Sequence, residues 1–311
     1  MRLVFLGTGD FAVPSFEAVL LAGHEVLALV TQPDREKGRG QKTSPPPTKP
    51  VAEARGVTVL QPRRIREDAA LATLRDLRPE ILVVVAYGQI LPKAVLESAP
   101  RGAVNVHGSL LPRWRGAAPI QWAIASGDTE TGVTTMLLDE GLDTGPTLLA
   151  RATPIGAEET ASELSARLAA VGAELLIQTL RGLEDGSLLP RPQDETKATK
   201  ARILNKEDGR LDWSLPAAAL ACRARGFHPW PGAFTAFEGR SLKALRVQAL
   251  AGGDSSAVPG TVMAVDEGGV VVACAGGSRL RLLEVQPESR KAMPAAAFAQ
   301  GARLRPGVRL G

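Results

Sequence analysis

The sequence predicts an α/β domain built on a mostly parallel sheet, followed by a smaller all-β domain. In the first 189 residues, short apolar runs alternate with segments of helical periodicity, and after residue 208 β-like segments separated by Gly, Asp and Ser predominate. Alternation of strands and helices favours a mostly parallel sheet with helices on both faces. Short strands at turn-punctuated spacing favour a small barrel. A chain of 311 residues is long enough for two such domains.

The strands of the N-terminal domain are predicted where aliphatic residues run without interruption. These runs are Leu3–Leu6, Val26–Val30, Ile81–Ala86, Ala103–Val106, Val133–Leu138 and Leu148–Ala150. Helical spacing of apolar residues predicts helices over Phe16–Ala22 and Ala161–Leu168. We therefore expect a Rossmann-like domain over residues 1–189.

A change of composition near residue 190 marks the predicted domain boundary. Residues 190–208 are rich in charge and proline and are interpreted as a linker, which leaves 209–311 as the second domain. The β-like segments of this domain are Leu242–Leu250, Gly260–Val265, Gly269–Cys274 and Arg279–Val285.

Residues 34–50 form a Pro- and Gly-rich basic segment that we expect to form neither helix nor strand. A long loop inside a compact domain is usually functional or disordered. The cations of this loop are Arg35, Lys37, Arg39, Lys42 and Lys49. From the residues alone, it is either a solvated loop or a binding segment for an anionic partner.

The densest polar motif begins at Asn105 and reads NVHGSLLPRWRGAAPIQ. Residues two apart on a strand point to the same face, so Asn105 and His107 lie side by side if the strand continues through them. A lone histidine near a strand end is usually structural. Here Gly108, an apolar Leu-Leu-Pro segment and two arginines follow, and such loops at strand ends bind ligands in parallel sheets.

A second motif, Leu138–Gly145, is acidic and contains two glycines (LDEGLDTG). Asp139, Glu140 and Asp143 are each candidate carboxylates, although turn chemistry also explains an Asp-Thr-Gly sequence. With both motifs in this order, the sequence resembles the formyltransferases that use 10-formyltetrahydrofolate, and the branch that acts on tRNA in particular. The resemblance extends over nearly the whole chain.

The resemblance implies that a formyl group moves from 10-formyltetrahydrofolate to the free amino group of initiator Met-tRNA, for translation initiation. The implied catalytic residues are Asn105, His107 and Asp143. The implied folate-binding residues are Ser109, Leu110, Leu111, Pro112 and Gly116. The implied tRNA-binding residues are Arg35, Lys37, Arg39 and Lys42, with Arg39 at the family's central arginine. An OB-like C-terminal domain, preceded by a helix over Ala217–Arg225, is also implied.

The reaction itself explains the need for these residue types. Formyl transfer between two nitrogens requires a neutral amine, stabilisation of the developing oxyanion and protonation of the leaving nitrogen. Asn105 can donate its amide to the oxyanion, and His107 can donate as imidazolium or carry the proton. Asp143 can orient His107 and favour its charged form. No covalent enzyme intermediate is required.

Other functions remain open at this point. A 10-formyltetrahydrofolate hydrolase or a sugar-nucleotide amine formyltransferase would share the Asn/His/Asp set, and a non-enzymatic tRNA-binding protein would keep the basic C-terminal domain. Gly7–Ala12 matches the dinucleotide-binding pattern GxGxxA, but the second predicted strand ends in Val-Thr-Gln-Pro without the acidic residue that this site needs.

Composition supports a soluble, intracellular protein. The resemblance implies a cytoplasmic enzyme of bacterial type, which we expect to be a monomer. The sequence contains no apolar window of about 20 residues, the length that spans a bilayer. The start, Met1–Gly7, is too short to be a signal peptide. Two cysteines and three histidines, widely separated, predict neither a disulfide framework nor a metal site.

Overall fold

The computed structural model describes residues 1–37, 42–250, 252 and 257–311. It contains two compact units. The N-terminal unit comprises Met1–Pro119, Glu130–Pro154 and Ser165–Ala201, and the C-terminal unit comprises Ile120–Thr129, Ile155–Leu164 and Arg202–Gly311. The boundary after Ala201 falls inside the segment 190–208, which the sequence predicts as a linker.

Eleven strands lie in the described part of the N-terminal unit. They are β1 (Arg2–Gly7), β2 (Glu25–Val30), β3 (Arg35–Lys37), β4 (Lys42–Ser44), β5 (Val59–Leu60), β6 (Ile81–Val85), β7 (Ala103–His107), β8 (Arg115–Gly116), β9 (Glu130–Leu137), β10 (Thr147–Pro154) and β11 (Lys200–Ala201). The α-helices of the described residues are α1 (Val13–Leu21), α2 (Thr48–Ala54), α3 (Asp68–Leu77), α4 (Lys93–Leu96), α5 (Pro119–Ala125), α6 (Ala161–Glu184), α7 (Ala217–Gly226) and α8 (Ala295–Gly301).

The main sheet of the N-terminal unit has the strand order β10-β9-β7-β6-β1-β2-β5. The five strands from β7 to β5 are parallel, whereas β9 runs antiparallel to β7 and β10 antiparallel to β9. All five residues of β6 are buried, which explains its uninterrupted apolar sequence. The predicted α/β domain with a mostly parallel sheet is confirmed.

The expectation that residues 34–50 form neither helix nor strand was wrong. β3 and β4 pair as an antiparallel hairpin, and α2 begins at Thr48 directly after three prolines. Proline is well tolerated where a helix begins, because the first helical N–H groups have no partner within the helix. The buried Thr48 hydroxyl donates to the Gly7 carbonyl at 3.0 Å and ties α2 to β1. Arg39 lies outside the described residues.

The C-terminal unit is an antiparallel sheet with two packed helices. Its strands are β12 (Phe234–Phe237), β13 (Arg240–Leu250), β14 (Val262–Asp266), β15 (Gly269–Ala273), β16 (Arg279–Pro287) and β17 (Met293–Pro294). They pair in the order β12-β13-β16-β15-β14, with β17 added to β16. Trp213, Leu220, Val272 and Leu282 lie in its core. The all-β architecture predicted after residue 208, with a preceding helix, is confirmed.

Candidate active site

Strand β7 positions the two residues that the sequence singled out first. The strand continues through His107, so Asn105 and His107 lie on the same face, as predicted. His107 is only 6% exposed, and Asn105 is partly buried. In the part of the chain that the structure describes, the Asn105 carboxamide has no hydrogen-bond partner. Its amide is therefore available to a substrate.

The imidazole of His107 is held by a backbone carbonyl that the sequence did not indicate. Its Nε2 lies 2.9 Å from the carbonyl oxygen of Trp114. A carbonyl can only accept a hydrogen bond, so Nε2 carries a proton and donates it. Nδ1 then faces the Oδ2 atom of Asp143 at 3.7 Å, which is too long for a direct hydrogen bond. Nδ1 is consequently the ring nitrogen that can exchange a proton with a bound molecule.

Asp143 is the one of the three predicted carboxylates that the structure brings to His107. Its Oδ2 accepts a hydrogen bond of 2.8 Å from the Gly116 amide. Its backbone is left-handed, with φ 53°, a conformation that aspartate adopts more readily than most residues. Asp139 instead accepts from the Gly141 amide and the Thr144 hydroxyl, and Glu140 is exposed and lies 3.8 Å from Lys93.

The segment Ser109–Pro112 is anchored beside His107 by Thr134, which pairs with His107 in the sheet. The Thr134 hydroxyl donates to the Ser109 carbonyl at 2.7 Å and accepts from the Leu111 amide at 3.1 Å. Ser109 is fully buried, and its hydroxyl donates to the Arg113 carbonyl at 2.6 Å. The partly exposed part of this segment is therefore Leu110–Pro112.

Gly116 stands where two backbones approach closely. It has φ 123°, and a Cβ atom built on it would lie 2.4 Å from the carbonyl oxygen of Ala201. The contact arises because β8 pairs in parallel with β11. Gly116 therefore serves the site through its amide, which donates to Asp143, and through the absence of a side chain.

The pairing of β8 with β11 was not predicted from the sequence. The Thr199 hydroxyl accepts from the Trp114 amide at 2.8 Å, and the Thr199 carbonyl accepts from the Arg115 amide at 2.8 Å. These partners are more than 80 residues apart, and no local pattern marks a two-residue strand. Thr199, in the segment predicted as a linker, thus holds the backbone of Trp114 and Arg115. The carbonyl of this Trp114 is the one that accepts from His107.

Comparison with known proteins identifies the family. The family model for formyl transferase matches residues 1–180, and the model for its C-terminal domain matches residues 203–303. The chain belongs to the formyl transferase family.

Relatives in this family match over the full length. The chain is 54% identical to a protein of Anaeromyxobacter dehalogenans strain 2CP-1 named methionyl-tRNA formyltransferase, with 100% of both chains covered. It is 51% identical to a protein of the same name from Solibacter usitatus, with 100% of this chain and 99% of the relative covered. The formyl-transferring class of enzyme predicted from the motifs is confirmed.

Solved structures share the fold. A Helicobacter canadensis N-formyltransferase in complex with folinic acid and dTDP-3-aminofucose gives a TM-score of 0.69 at 17% identity, covering 92% of this chain and 99% of that chain. HypX from Aquifex aeolicus with tetrahydrofolic acid gives 0.62 at 17% identity, covering 96% and 47%. At these identities the likeness concerns the fold.

Two features are absent from the described residues. No three His, Cys, Asp or Glu side chains in that part of the chain are grouped so that they could hold a metal ion. No helix there has both the length and the apolar character needed to cross a bilayer.

Proposed function

We propose that the protein transfers the formyl group of 10-formyltetrahydrofolate to the amino group of initiator Met-tRNA. The observation that carries the proposal is the arrangement around β7, where an unpartnered amide, an imidazole with one free nitrogen and a carboxylate lie together. These are the groups that amide-forming acyl transfer needs. Full-length relatives that carry the name methionyl-tRNA formyltransferase support the choice of acceptor.

In the proposed mechanism the amine nitrogen forms a bond to the formyl carbon, and the bond from that carbon to the donor nitrogen breaks. Asn105 donates its amide N–H to the carbonyl oxygen as negative charge develops there. His107 takes the proton lost by the amine at Nδ1 and returns it to the leaving nitrogen. Asp143, 3.7 Å from Nδ1, stabilises the imidazolium formed in between.

The folate donor is proposed to bind against Leu110, Leu111 and Pro112, with Ser109 and Gly116 supporting this surface through the loop backbone. A flat ring system needs an apolar wall with polar groups at its edge. Ile90 and Leu142 are exposed apolar side chains, and we propose that they extend this wall. Lys93, three residues after Ile90, lies 3.8 Å from Glu140, two residues before Leu142.

Saturating tetrahydrofolate is expected to protect the amides of residues 108–114 from hydrogen exchange, because the bound ring system excludes water from this loop. Exchange followed by mass spectrometry measures the protection. The C-terminal strand β13 serves as the control segment and should exchange at the same rate with and without the ligand. Unchanged exchange of residues 108–114 at saturating tetrahydrofolate would place the donor elsewhere.

The basic residues Arg35, Lys37, Arg39 and Lys42 are proposed to contact the tRNA. The support is chemical, because phosphates are recognised by arginine and lysine, and the segment carries several cations next to β2. The C-terminal domain is basic, with 13 Lys and Arg residues against 7 Asp and Glu residues over 209–311, and it is proposed to add a second electrostatic contact. We further propose that the enzyme is cytoplasmic and acts as a monomer.

Arg39→Ala is expected to lower kcat/KM on initiator Met-tRNA while leaving the affinity for folate unchanged, because arginine offers planar, forked donors that a neighbouring lysine cannot copy. Arg55→Ala, which removes an exposed arginine at the end of α2, is the matched control. If Arg39 also recognises features of the acceptor end, the loss is larger on initiator than on elongator Met-tRNA. If the Arg39 and Arg55 variants were equally active, Arg39 would not contact the tRNA. The segment 34–50 would then be interpreted as solvated.

Mass spectrometry of initiator Met-tRNA, incubated with the protein and 10-formyltetrahydrofolate, tests the proposed function. A mass increase by one formyl group on the methionyl amine is expected. Release of free formate without tRNA modification would identify a hydrolase. Formylation of an amino-sugar nucleotide, but not of the tRNA, would identify the sugar-directed reaction. Binding of tRNA without any consumption of the donor would identify a tRNA-binding protein.

A further inference from the structure

The carboxamide of Gln193 connects the Asp143 loop to Arg115. Its Nε2 donates to the carbonyl oxygens of Asp143 and Gly145, at 2.8 and 2.7 Å. Its Oε1 accepts from two nitrogens of the Arg115 guanidinium, at 3.0 and 2.9 Å. Both donors and both acceptor positions of the amide are therefore in use. A side chain with every hydrogen bond satisfied holds its surroundings in one arrangement.

Arg115 lies between the two backbone groups that contact the catalytic side chains. The preceding carbonyl, of Trp114, accepts from His107, and the following amide, of Gly116, donates to Asp143. The guanidinium of Arg115 is buried and also pairs with both carboxylate oxygens of Glu195, at 2.7 and 2.8 Å. This pairing lowers the pKa of Glu195 and raises the pKa of Arg115. The guanidinium is thus a fixed anchor for Gln193.

We propose that Gln193 is a positioning residue for formyl transfer, which holds the Asp143 loop so that the carboxylate stays opposite Nδ1 of His107. The inference rests on the proposed function of the same site. Asp143 has a left-handed backbone that its surroundings must maintain, and Gln193 binds the carbonyl of that residue directly. Catalysis is sensitive to such placement, since a displacement of about 1 Å can cost roughly 100-fold in rate.

Two substitutions separate the functions of the Gln193 carboxamide. Gln193→Glu keeps an acceptor for Arg115 but places a carboxylate oxygen against the two loop carbonyls, whereas Gln193→Ala removes all four hydrogen bonds. Both are expected to lower kcat by roughly 10- to 100-fold. The KM for Met-tRNA and for the folate donor should change less than about threefold, because Gln193 contacts the loop rather than a substrate. Gln193→Glu also provides an active-site readout if Gln193→Ala folds poorly.

A double-mutant cycle identifies the residue through which Gln193 acts. If Gln193 acts by positioning the carboxylate of Asp143, then Gln193→Ala should cause no further loss in an Asp143→Ala background. Single-turnover formylation with excess enzyme measures these slow rates. The inference would be overturned if Gln193→Ala lowered the rate by the same factor in the wild-type and Asp143→Ala backgrounds. A wild-type kcat in both Gln193 variants would overturn it too.

A matched pair of ion-pair variants controls for general loss of stability. Glu195 pairs with Arg115, and Glu174 pairs with Arg151. The two glutamate side chains are each 68% exposed, and both residues lie in the N-terminal unit. Glu195→Gln is expected to lower kcat severalfold, whereas Glu174→Gln should leave it unchanged. Equal effects of these two variants would contradict the inference. A wild-type protein that formylates no tRNA would instead overturn the proposed function, so the two failures are distinct.

Discussion

Replacing Asn105 or His107 by alanine is expected to lower kcat by roughly 100-fold or more, while the protein remains folded. For Asn105 the estimate follows from the cost of removing one donor that stabilises an oxyanion. For His107 it follows from the loss of general base and acid catalysis, which contributes roughly 100- to 10,000-fold. His24→Ala is the control, because His24 precedes β2 and so lies at the opposite end of the parallel strands from His107, which ends β7. Single-turnover formylation of Met-tRNA gives the rates. A kcat within tenfold of wild type for both variants would contradict the assignment of this pair.

The geometry of His107 allows a sharper version of this experiment. His107→Gln can still donate a hydrogen bond to the Trp114 carbonyl, but it provides no nitrogen at the position of Nδ1. If proton transfer occurs at Nδ1, His107→Gln is expected to be as slow as His107→Ala. Recovery of activity in His107→Gln would show that the ring serves only to hold the Trp114 carbonyl.

Gly116→Ala is expected to abolish activity and to lower the free energy of unfolding by about 3 kcal/mol or more, a cost typical of severe steric changes. The new Cβ atom would lie 2.4 Å from a backbone oxygen, which cannot move aside as a flexible side chain can. Separation of β8 from β11 would displace the Trp114 carbonyl and the Gly116 amide, and with them His107 and Asp143.

Gly186→Ala distinguishes this steric clash from the cost of a positive φ. Gly186 has φ 75°, and a Cβ atom built on it would meet nothing within 4 Å. Its substitution should cost only the backbone strain of about 1–2 kcal/mol. Denaturant unfolding of both variants, together with formylation rates, gives the comparison. Equal losses of stability in the two variants would show that the β8–β11 contact is adaptable.

Six of the seven strands of the main sheet were predicted from their apolar runs, because burial leaves a direct mark on the sequence. β6 is buried at every residue, so it appears as an uninterrupted aliphatic run. The proximity of Asn105 and His107 was predictable for an equally local reason, since alternate residues of a strand share a face. The hairpin β3–β4 and the helix α2 were not predicted, because proline and glycine in this segment favoured a loop while the helix begins at the prolines themselves.

The choice among the three acidic residues of the LDEGLDTG motif depended on contacts outside the motif. Asp139 and Asp143 are equally plausible as turn residues in the sequence. The structure distinguishes them, because Asp139 accepts hydrogen bonds within its own loop while Asp143 accepts from Gly116 and faces His107.

The sequence by itself determined the fold class, the order of the two domains and the side-by-side placement of Asn105 and His107 on β7, because each depends on residues that are neighbours along the chain. Only the tertiary structure decided how that pair is oriented. The Trp114 carbonyl selects the proton-bearing nitrogen of His107, and the segment from Gln193 to Ala201 fixes the loops on either side of it. These contacts join residues up to 85 positions apart, and each uses a backbone group, which every residue possesses, so no side-chain pattern could indicate them.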